Sequence, residues 1–184
     1  MRKLLVLILI IGLFFLGGCN ENQNNSNQQG VNNAKPNTSQ QSVSPVNHNQ
    51  RYEAMIYWEQ EGKIIPVRKQ VGTISELIDS LFRGPSEEER KSGYFSELPK
   101  VTPNKVILEG DKVLLDLPAS FYEARSSFRV SNILKQIVYT CESFPGVKKV
   151  VFLKDGNPIS VFPGEGFVLA PYVDKNSIRG QDKQ

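Results

Sequence analysis

Residues 127–156 constrain the fold most, because they combine a long amphipathic helix, a sharp stop and a buried strand in one continuous segment. From residue 128, apolar side chains recur at intervals of three and four, which predicts a helix with one broad apolar face. This face carries Val130, Ile133, Leu134, Ile137, Val138, Cys141 and Phe144. We expect the opposite face to carry Lys135, Gln136 and Glu142.

The end of this helix is marked by Phe144-Pro145-Gly146. Pro145 cannot continue a helix, and Gly146 can adopt a left-handed conformation, so the chain is predicted to turn here. Residues 147–153 are rich in valine and other apolar side chains and are predicted to form a mostly buried strand.

Two hairpins and two helical segments are predicted before the long helix. Alternating apolar residues predict the strands, helical spacing predicts an amphipathic helix, and capping-box patterns begin at Thr73 and Ser86. In order, we expect a hairpin over 52–58 and 64–67, a helix over 74–83, a charged surface turn over 86–93 and a hairpin over 105–108 and 112–117.

This order predicts an α+β fold for residues 51–162, in which two helices pack on one face of a small mixed sheet. Residues 159–162 are expected to return as a short edge strand. In the C-terminal tail, residues 163–184, we expect 167–172 to dock on the domain and the remainder to fray.

Residues 1–18 have the features of a lipoprotein signal peptide. Two positive charges precede an apolar run over 4–16, which is shorter than the ~20 residues that span a bilayer. The Leu-Gly-Gly-Cys sequence ending at Cys19 resembles the bacterial lipobox. This resemblance implies that Cys19 is acylated and anchors the chain to the extracytoplasmic face of the cell membrane. The alternative is a plain secretory signal with an incidental cysteine.

Residues 19–50 are predicted to form a disordered tether behind the acylated cysteine. Sixteen of the 31 residues from 20 to 50 are Asn or Gln, so this segment cannot bury enough apolar surface to fold. The only histidine, His48, lies here without a second metal-ligating neighbour, and we interpret it as incidental.

Charge and motifs argue against several function classes. The net charge of +3 falls to +1 once Arg2 and Lys3 leave with the signal, so it does not imply nucleic-acid binding. No metal-ligand cluster, nucleophile elbow or phosphate-binding loop occurs in the sequence, which predicts neither a metal nor a cofactor. Cys141 lies on the apolar face of the long helix and is expected to be buried and structural.

Three segments resemble, in order and spacing, the GerMN domain of sporulation and germination lipoproteins: LFRGPSEEERKSGYFSELP over 81–99, VILEGDKVLLDLPASF over 106–121 and QIVYTCESFPGVKKVVFLKDGNP over 136–158. The resemblance implies an αββαβ fold similar to the ring-building motifs of secretion-system and sporulation channel proteins. It also implies a non-enzymatic role in the envelope, with protein partners and a capacity to form oligomers. The protein that names the family carries two such domains, whereas this sequence indicates one.

An interaction module is the first of three functions considered. Its candidate interface is the charged turn, with Glu87, Glu88, Glu89 and Arg90, together with any open sheet edge. The alternative for the glutamates is a solvated helix start whose carboxylates suit the helix dipole.

A module that binds wall glycan or a small ligand is the second function. It would stack its ligand on aromatic rings, for which the candidates are Tyr57, Trp58, Tyr94, Phe95 and Tyr122. Core packing explains these rings equally well. Three exposed rings around one groove would favour ligand binding, and burial would favour the interaction module.

An envelope hydrolase is the third function. It needs an acid and a base, and the candidate pairs are Glu87 with Glu97 and Asp111 with Asp116. A turn explains Asp111 and a strand end explains Asp116, so catalysis is not the expected function.

Cys19→Ala is expected to abolish lipidation and signal processing, because the lipobox provides the only stable membrane anchor that the sequence predicts. Detergent-phase partitioning and metabolic labelling with a fatty acid would test this in whole cells. Partitioning of the variant at the parent level would contradict the lipoprotein interpretation.

Overall fold

A computed structural model describes residues 50–123, 126–163 and 166–181. Its elements are β1 (Tyr52–Gln60), β2 (Lys63–Val71), α1 (Ile74–Arg83), α2 (Glu87–Lys91), β3 (Lys105–Glu109), β4 (Lys112–Leu117), a 3₁₀ helix (Ala119–Tyr122), α3 (Ser127–Ser143), β5 (Lys149–Lys154), β6 (Asn157–Pro158) and α4 (Lys175–Gln181). The predicted signal, Cys19 and His48 lie outside the described residues. Across the described ranges, every helix is too short or too polar to cross a bilayer.

The strands form two sheets. The larger has the order β3-β4-β5-β6, in which β4 and β5 run parallel and the other pairs antiparallel. The predicted α+β class with a mixed sheet is therefore confirmed, and α1, β3, β4, α3 and β5 follow the αββαβ order. One detail differs from the expectation of a single sheet: β1 and β2 form a separate hairpin, and β1 is joined to one further residue, Phe95, by a single antiparallel bridge from Glu59.

One face of the larger sheet is covered by α1 and α3. Alternate residues of β4 are fully buried, and Val113 and Leu115 pair in register with Val150 and Phe152 of β5. Helix α1 buries one side completely, as its spacing predicts: Ile74, Leu77, Ile78, Leu81 and Phe82. Cys141 is fully buried on α3, and burial raises the pKa of its thiol, in agreement with a structural role.

The joint between α3 and β5 has the predicted conformation. Gly146 has a φ of 84°, in the left-handed region that favours glycine. Strand β5 begins at Lys149, two residues later than predicted. The backbone N–H groups of Lys148 and Lys149 instead donate to the carbonyl of Asp111, at 2.7 and 3.2 Å.

Polar side chains of α3 lie along the edge of β1 that faces away from β2. Ser143 Oγ accepts a hydrogen bond from Met55 N (2.8 Å), and Thr140 Oγ1 accepts one from Tyr57 N (3.1 Å). Gln136 Nε2 donates to the carbonyl of Tyr57 (3.2 Å). These side chains occupy the positions that a neighbouring strand would fill, and they satisfy buried backbone groups of β1.

The predicted exposure of Gln136 is wrong, because this side chain is completely buried. Its carbonyl oxygen accepts hydrogen bonds from Glu97 N (3.1 Å) and from the Ser96 hydroxyl (3.3 Å). Hydrophobic periodicity places polar residues on the solvent side, but it cannot recognise a polar residue that completes a strand edge. Lys135 and Glu142 are partly exposed.

The C-terminal segment is ordered further than predicted. Val173 exchanges two backbone hydrogen bonds with Val150 (2.8 Å each), and Leu169 and Ile178 are buried. The expected fraying after residue 172 is therefore wrong for residues 173–181, since Val173 pairs with the start of β5 at Val150, beside the part of the edge that β6 covers, and α4 packs on α3. The edge strand predicted over 159–162 is observed as the two-residue strand β6 (Asn157–Pro158), which lies before the predicted residues.

Gln136→Leu should lower the free energy of unfolding by about 2–3 kcal/mol, because buried partners in β1 and the 96–97 backbone would lose their hydrogen bonds. Urea melts of the protein in detergent solution provide the measurement. The matched control is Gln70→Leu on the exposed side of β2, for which we expect a change below about 0.5 kcal/mol. Equal stability of the two variants would show that the α3 side chains do not hold β1.

Candidate functional site

Helix α2 is fastened to the first hairpin by Glu89. A capping box joins it to Ser86, with Ser86 N donating to Glu89 Oε2 (2.7 Å) and Glu89 N donating to Ser86 Oγ (3.2 Å). Its second oxygen accepts hydrogen bonds from Trp58 Nε1 (3.3 Å) and Lys69 Nζ (2.9 Å). The side chain is only 13% exposed. Glu89 is therefore a structural anchor between α2 and both strands of the hairpin.

The contacts of Glu89 lower the pKa of its carboxyl group. Burial alone would raise it, but the hydrogen bonds from Lys69, Ser86 and Trp58 outweigh burial and lower the pKa to about 2. The ionised carboxylate is thus the form that holds α2 in place.

The four residues predicted as an interface have different roles. Glu87 forms an exposed ion pair with Lys91 within α2 (3.1 Å), and Glu88 is exposed. Glu89 is the anchor just described, so the interpretation of all three glutamates as a solvated helix start is wrong for this one. Arg90 donates from Nη1 to the carbonyl of Pro85 (2.6 Å), which directs its guanidinium along the joint between α1 and α2.

A groove of about 420 Å³ lies between the end of α1, α2 and the segment over 95–100. We call it the basic groove, and its lining residues are Phe82, Arg83, Gly84, Pro85, Arg90, Phe95, Ser96, Leu98 and Lys100. Gly84 has φ 86° and ψ 178°, a conformation open essentially to glycine alone, and this bend separates the two helices that form the wall.

The charges of the basic groove are all of one sign. Arg83, Arg90 and Lys100 line it, and no carboxylate does. Across the described part of the chain, no carboxylate lies within 4.0 Å of any of these three cations. Arg83 also lines two neighbouring clefts, of about 360 and 320 Å³, the first lined as well by Asp79 and the second by Glu87 and Glu89.

The floor of the basic groove is apolar. Phe82 and Leu98 are packed against the core, and Phe95 is 43% exposed. The backbone of Phe95 is fixed by two hydrogen bonds with Glu59, each 2.9 Å. The arrangement can receive an anionic group at its rim and an apolar group at its floor.

The aromatic residues considered for ligand stacking do not form a common platform. Trp58 and Tyr122 are buried, and Tyr94 is half-buried. Tyr57 packs edge-on against Tyr139 of α3, with ring centroids 5.4 Å apart. Only Phe95 of the five candidates is exposed, at 43%, so the criterion of three exposed rings around one groove is not met.

The carboxylates considered for catalysis have structural partners. Glu97 binds Arg129 (2.8 Å), Glu87 binds Lys91, Asp111 binds Lys149 (3.0 Å), and Asp116 accepts from Gly156 N (2.8 Å). Each of these contacts gives its carboxylate a structural role, so none of them requires a catalytic role to explain it. Among the described residues, no three His, Cys, Asp or Glu side chains are grouped as metal ligands would be.

Glu59 is a buried carboxylate that the sequence analysis did not identify, and the fold places it near Glu97. Burial raises the pKa of Glu59, the neighbouring charge of Glu97 raises it further, and a hydrogen bond from Asn132 (3.1 Å) opposes both. Glu59 directly follows Trp58 in an apolar strand, and its buried setting depends on α3, so no local pattern indicates it.

Strand edges differ in how well they are covered. The outer edge of β2 carries Pro66, which has no N–H to donate, and the edge of β5 away from β4 is covered by β6 at one end and by Val173 at the other. Among the described strands, β3 pairs only with β4, and its Leu108 is 41% exposed. The β3 edge is therefore a second surface, besides the basic groove, at which a partner could bind.

Comparisons with known proteins identify the domain. The family model described as "Germane: Sporulation and spore germination" matches residues 48–160, which is more than half of the chain. No curated protein sequence matches the chain significantly.

Solved structures with the same fold are also found. A crystal structure from Clostridium perfringens, described provisionally as a lipoprotein, has 21% identity and a TM-score of 0.52, over 71% of this chain and 91% of that one. The tandem GerMN domains of the sporulation protein GerM from Bacillus subtilis have 13% identity and a TM-score of 0.55, over 68% and 47% of the two chains. The first GerMN domain alone has 14% identity and a TM-score of 0.53, over 68% and 98%. These matches confirm the predicted resemblance to the GerMN domain.

Glu89→Gln should lower the free energy of unfolding at pH 7 by about 1–3 kcal/mol, because it removes the charge that Lys69, Ser86 and Trp58 stabilise. The folded-state pKa is below the ordinary value of 4.5, so the stabilisation is complete above about pH 4.5 and is lost as the pH falls toward 2. Urea melts at several pH values should therefore show the parent and the variant converging in acid. Glu88→Gln, which removes an exposed charge from the same helix, is the control, and an equal effect of the two changes would contradict the anchoring role.

Proposed function

Since the chain belongs to the Germane family of sporulation and spore germination, we propose that it is a non-enzymatic, lipid-anchored interaction module. It would act on the extracytoplasmic face of the membrane, within a protein assembly of the sporulating or germinating envelope. The observation that carries this proposal is the family match over residues 48–160, directly behind a lipobox-like Cys19 and an Asn- and Gln-rich tether.

The anchored location is supported by two independent observations. The sequence ends its apolar N-terminal run with Leu-Gly-Gly-Cys, and a protein of the same fold from Clostridium perfringens is described provisionally as a lipoprotein. If the Asn- and Gln-rich residues 20–50 form the tether that their composition predicts, its root-mean-square span would be about 30 Å, which would keep the domain close to the membrane surface.

The interaction role is supported by the surface of the domain. The basic groove combines unpaired cations with an apolar floor, and the β3 edge is free to pair. Wall-glycan binding is the alternative function, but only one of its five candidate rings, Phe95, is exposed. The candidate acid–base residues of a hydrolase are held in ion pairs or in a turn.

Affinity purification from membranes of an endospore-forming host would test the proposal, with the tagged chain carrying its own Cys19. We expect one envelope protein to be recovered in stoichiometric amount after mild crosslinking, and not to be recovered with Cys19→Ala. Sporulating and vegetative cells compared in parallel would show when the assembly forms.

Two further measurements would contradict the proposal. Retention of the purified chain on insoluble peptidoglycan, in the absence of other proteins, would favour glycan binding. Release of soluble muropeptides from that material would show hydrolysis. Glu87→Gln and Glu97→Gln would then test one candidate acid–base pair, and Asp111→Asn and Asp116→Asn the other.

A further inference from the structure

We propose that the basic groove binds an acidic segment of a partner protein in which carboxylates flank one apolar side chain. This inference rests on the proposed function and deepens it, because it names the site and the chemistry of the partner.

The charge of the groove selects an anion. Arg83, Arg90 and Lys100 converge on it without a carboxylate partner. Of the acidic residues that line the neighbouring clefts, Glu89 is paired with Lys69 and Glu87 with Lys91, whereas Asp79 shares a cleft with Arg83 without forming an ion pair with it. The groove therefore presents three cations that have no ion-pair partner among the described residues, and an incoming carboxylate gains attraction without having to displace an existing ion pair.

The geometry of the cations favours carboxylates. Arg90 uses Nη1 to bind the Pro85 carbonyl, which orients its planar guanidinium and leaves the remaining N–H groups available. A guanidinium held in this way can donate two parallel hydrogen bonds to a carboxylate. Because the Arg90 side chain is already ordered in the free protein, binding loses less side-chain entropy. Lys100, from a different segment of the lining, offers a second contact for a negative charge.

The floor of the groove selects an apolar side chain between the carboxylates. Phe82 and Leu98 form the floor, and Phe95 is exposed at 43% on a backbone that Glu59 holds with two hydrogen bonds. Covering this ring would remove apolar surface from water at about 25 cal/mol per Å². The volume of about 420 Å³ lies at the lower end of the usual range for binding pockets, roughly 300–1,000 Å³.

The shape of the site favours a peptide over an anionic membrane or a polyanionic wall polymer. A bilayer surface is nearly flat and meets projecting side chains, whereas the apolar part of this site lies at the bottom of a groove. A phosphate polymer would satisfy the three cations but would leave Phe95 and Leu98 without an apolar partner. A peptide with alternating acidic and apolar residues satisfies both parts.

Fluorescence anisotropy with the full chain in detergent micelles would test this directly. The probes are short labelled peptides centred on Glu-Leu-Glu, Gln-Leu-Gln and Glu-Ser-Glu. We expect the first to bind, and the other two to bind roughly ten-fold more weakly or not at all. Arg83→Gln and Lys100→Gln should each weaken binding of the Glu-Leu-Glu peptide roughly ten-fold. Phe95→Ser should also weaken this binding, and it should abolish the preference for the peptide with leucine over the one with serine.

The matched control is Lys154→Gln, an exposed lysine at the end of β5 outside the groove, which should leave binding unchanged. Urea melts of every variant would separate loss of binding from loss of folding. The substituted side chains Arg83 and Lys100 are exposed, so their variants should melt like the parent.

Three results would overturn the inference. Equal binding of all three peptides would show that the groove recognises neither the flanking carboxylates nor the central apolar side chain. Competition by vesicles of an anionic phospholipid, with no dependence on Phe95, would show a membrane-facing surface instead. Concentration-dependent self-association that is lost in Arg83→Gln would assign the groove to a second copy of the chain.

Failure of this inference can be told apart from failure of the proposed function. If the Arg83→Gln, Lys100→Gln double variant still recovers its partner from membranes, the groove is not the partner site but the interaction module stands. If the parent binds the Glu-Leu-Glu peptide and recovers no envelope protein, the site stands and the proposed assembly does not.

Discussion

The free edge of β1 is the constraint on which the arrangement of the domain depends. A two-stranded hairpin has unpaired backbone groups on both outer edges, and buried groups of this kind must be satisfied. Here Gln136, Thr140 and Ser143 of α3 bind Met55 and Tyr57 in place of a third strand. This contact fixes the hairpin against the long helix and explains why β1 and β2 remain separate from the mixed sheet.

The same contacts position the basic groove. The carbonyl oxygen of Gln136 binds the backbone at Glu97, and Phe95 is bridged to Glu59, so the 95–98 segment is fixed by both α3 and β1. On the other side of the groove, Glu89 ties α2 to Trp58 and Lys69. The groove is thus an exposed surface built on buried polar contacts, which makes its walls rigid before any partner arrives.

Much of this domain could be predicted from its sequence because the relevant signals are local. Helical spacing identified α1 and α3, capping boxes identified the starts of α1 and α2, and Pro145-Gly146 identified the joint before β5. Burial of Cys141 followed from its place on the apolar face. These predictions hold because each depends on side chains within a few residues of one another.

The tertiary structure decided the features that depend on distant residues. Gln136 and Glu59 are buried because segments far apart in the chain supply their partners, and the 173–181 segment is ordered because it covers β5 and packs on α3. Likewise, the charged turn could be located from the sequence, but only the fold gives Glu89 and Arg90 different roles. Glu89 anchors α2 to the hairpin, and Arg90 lines the same groove as Arg83 and Lys100. The physical reason is the same throughout: periodicity reports which side chains prefer water, and the satisfaction of buried polar groups is settled only by long-range contacts.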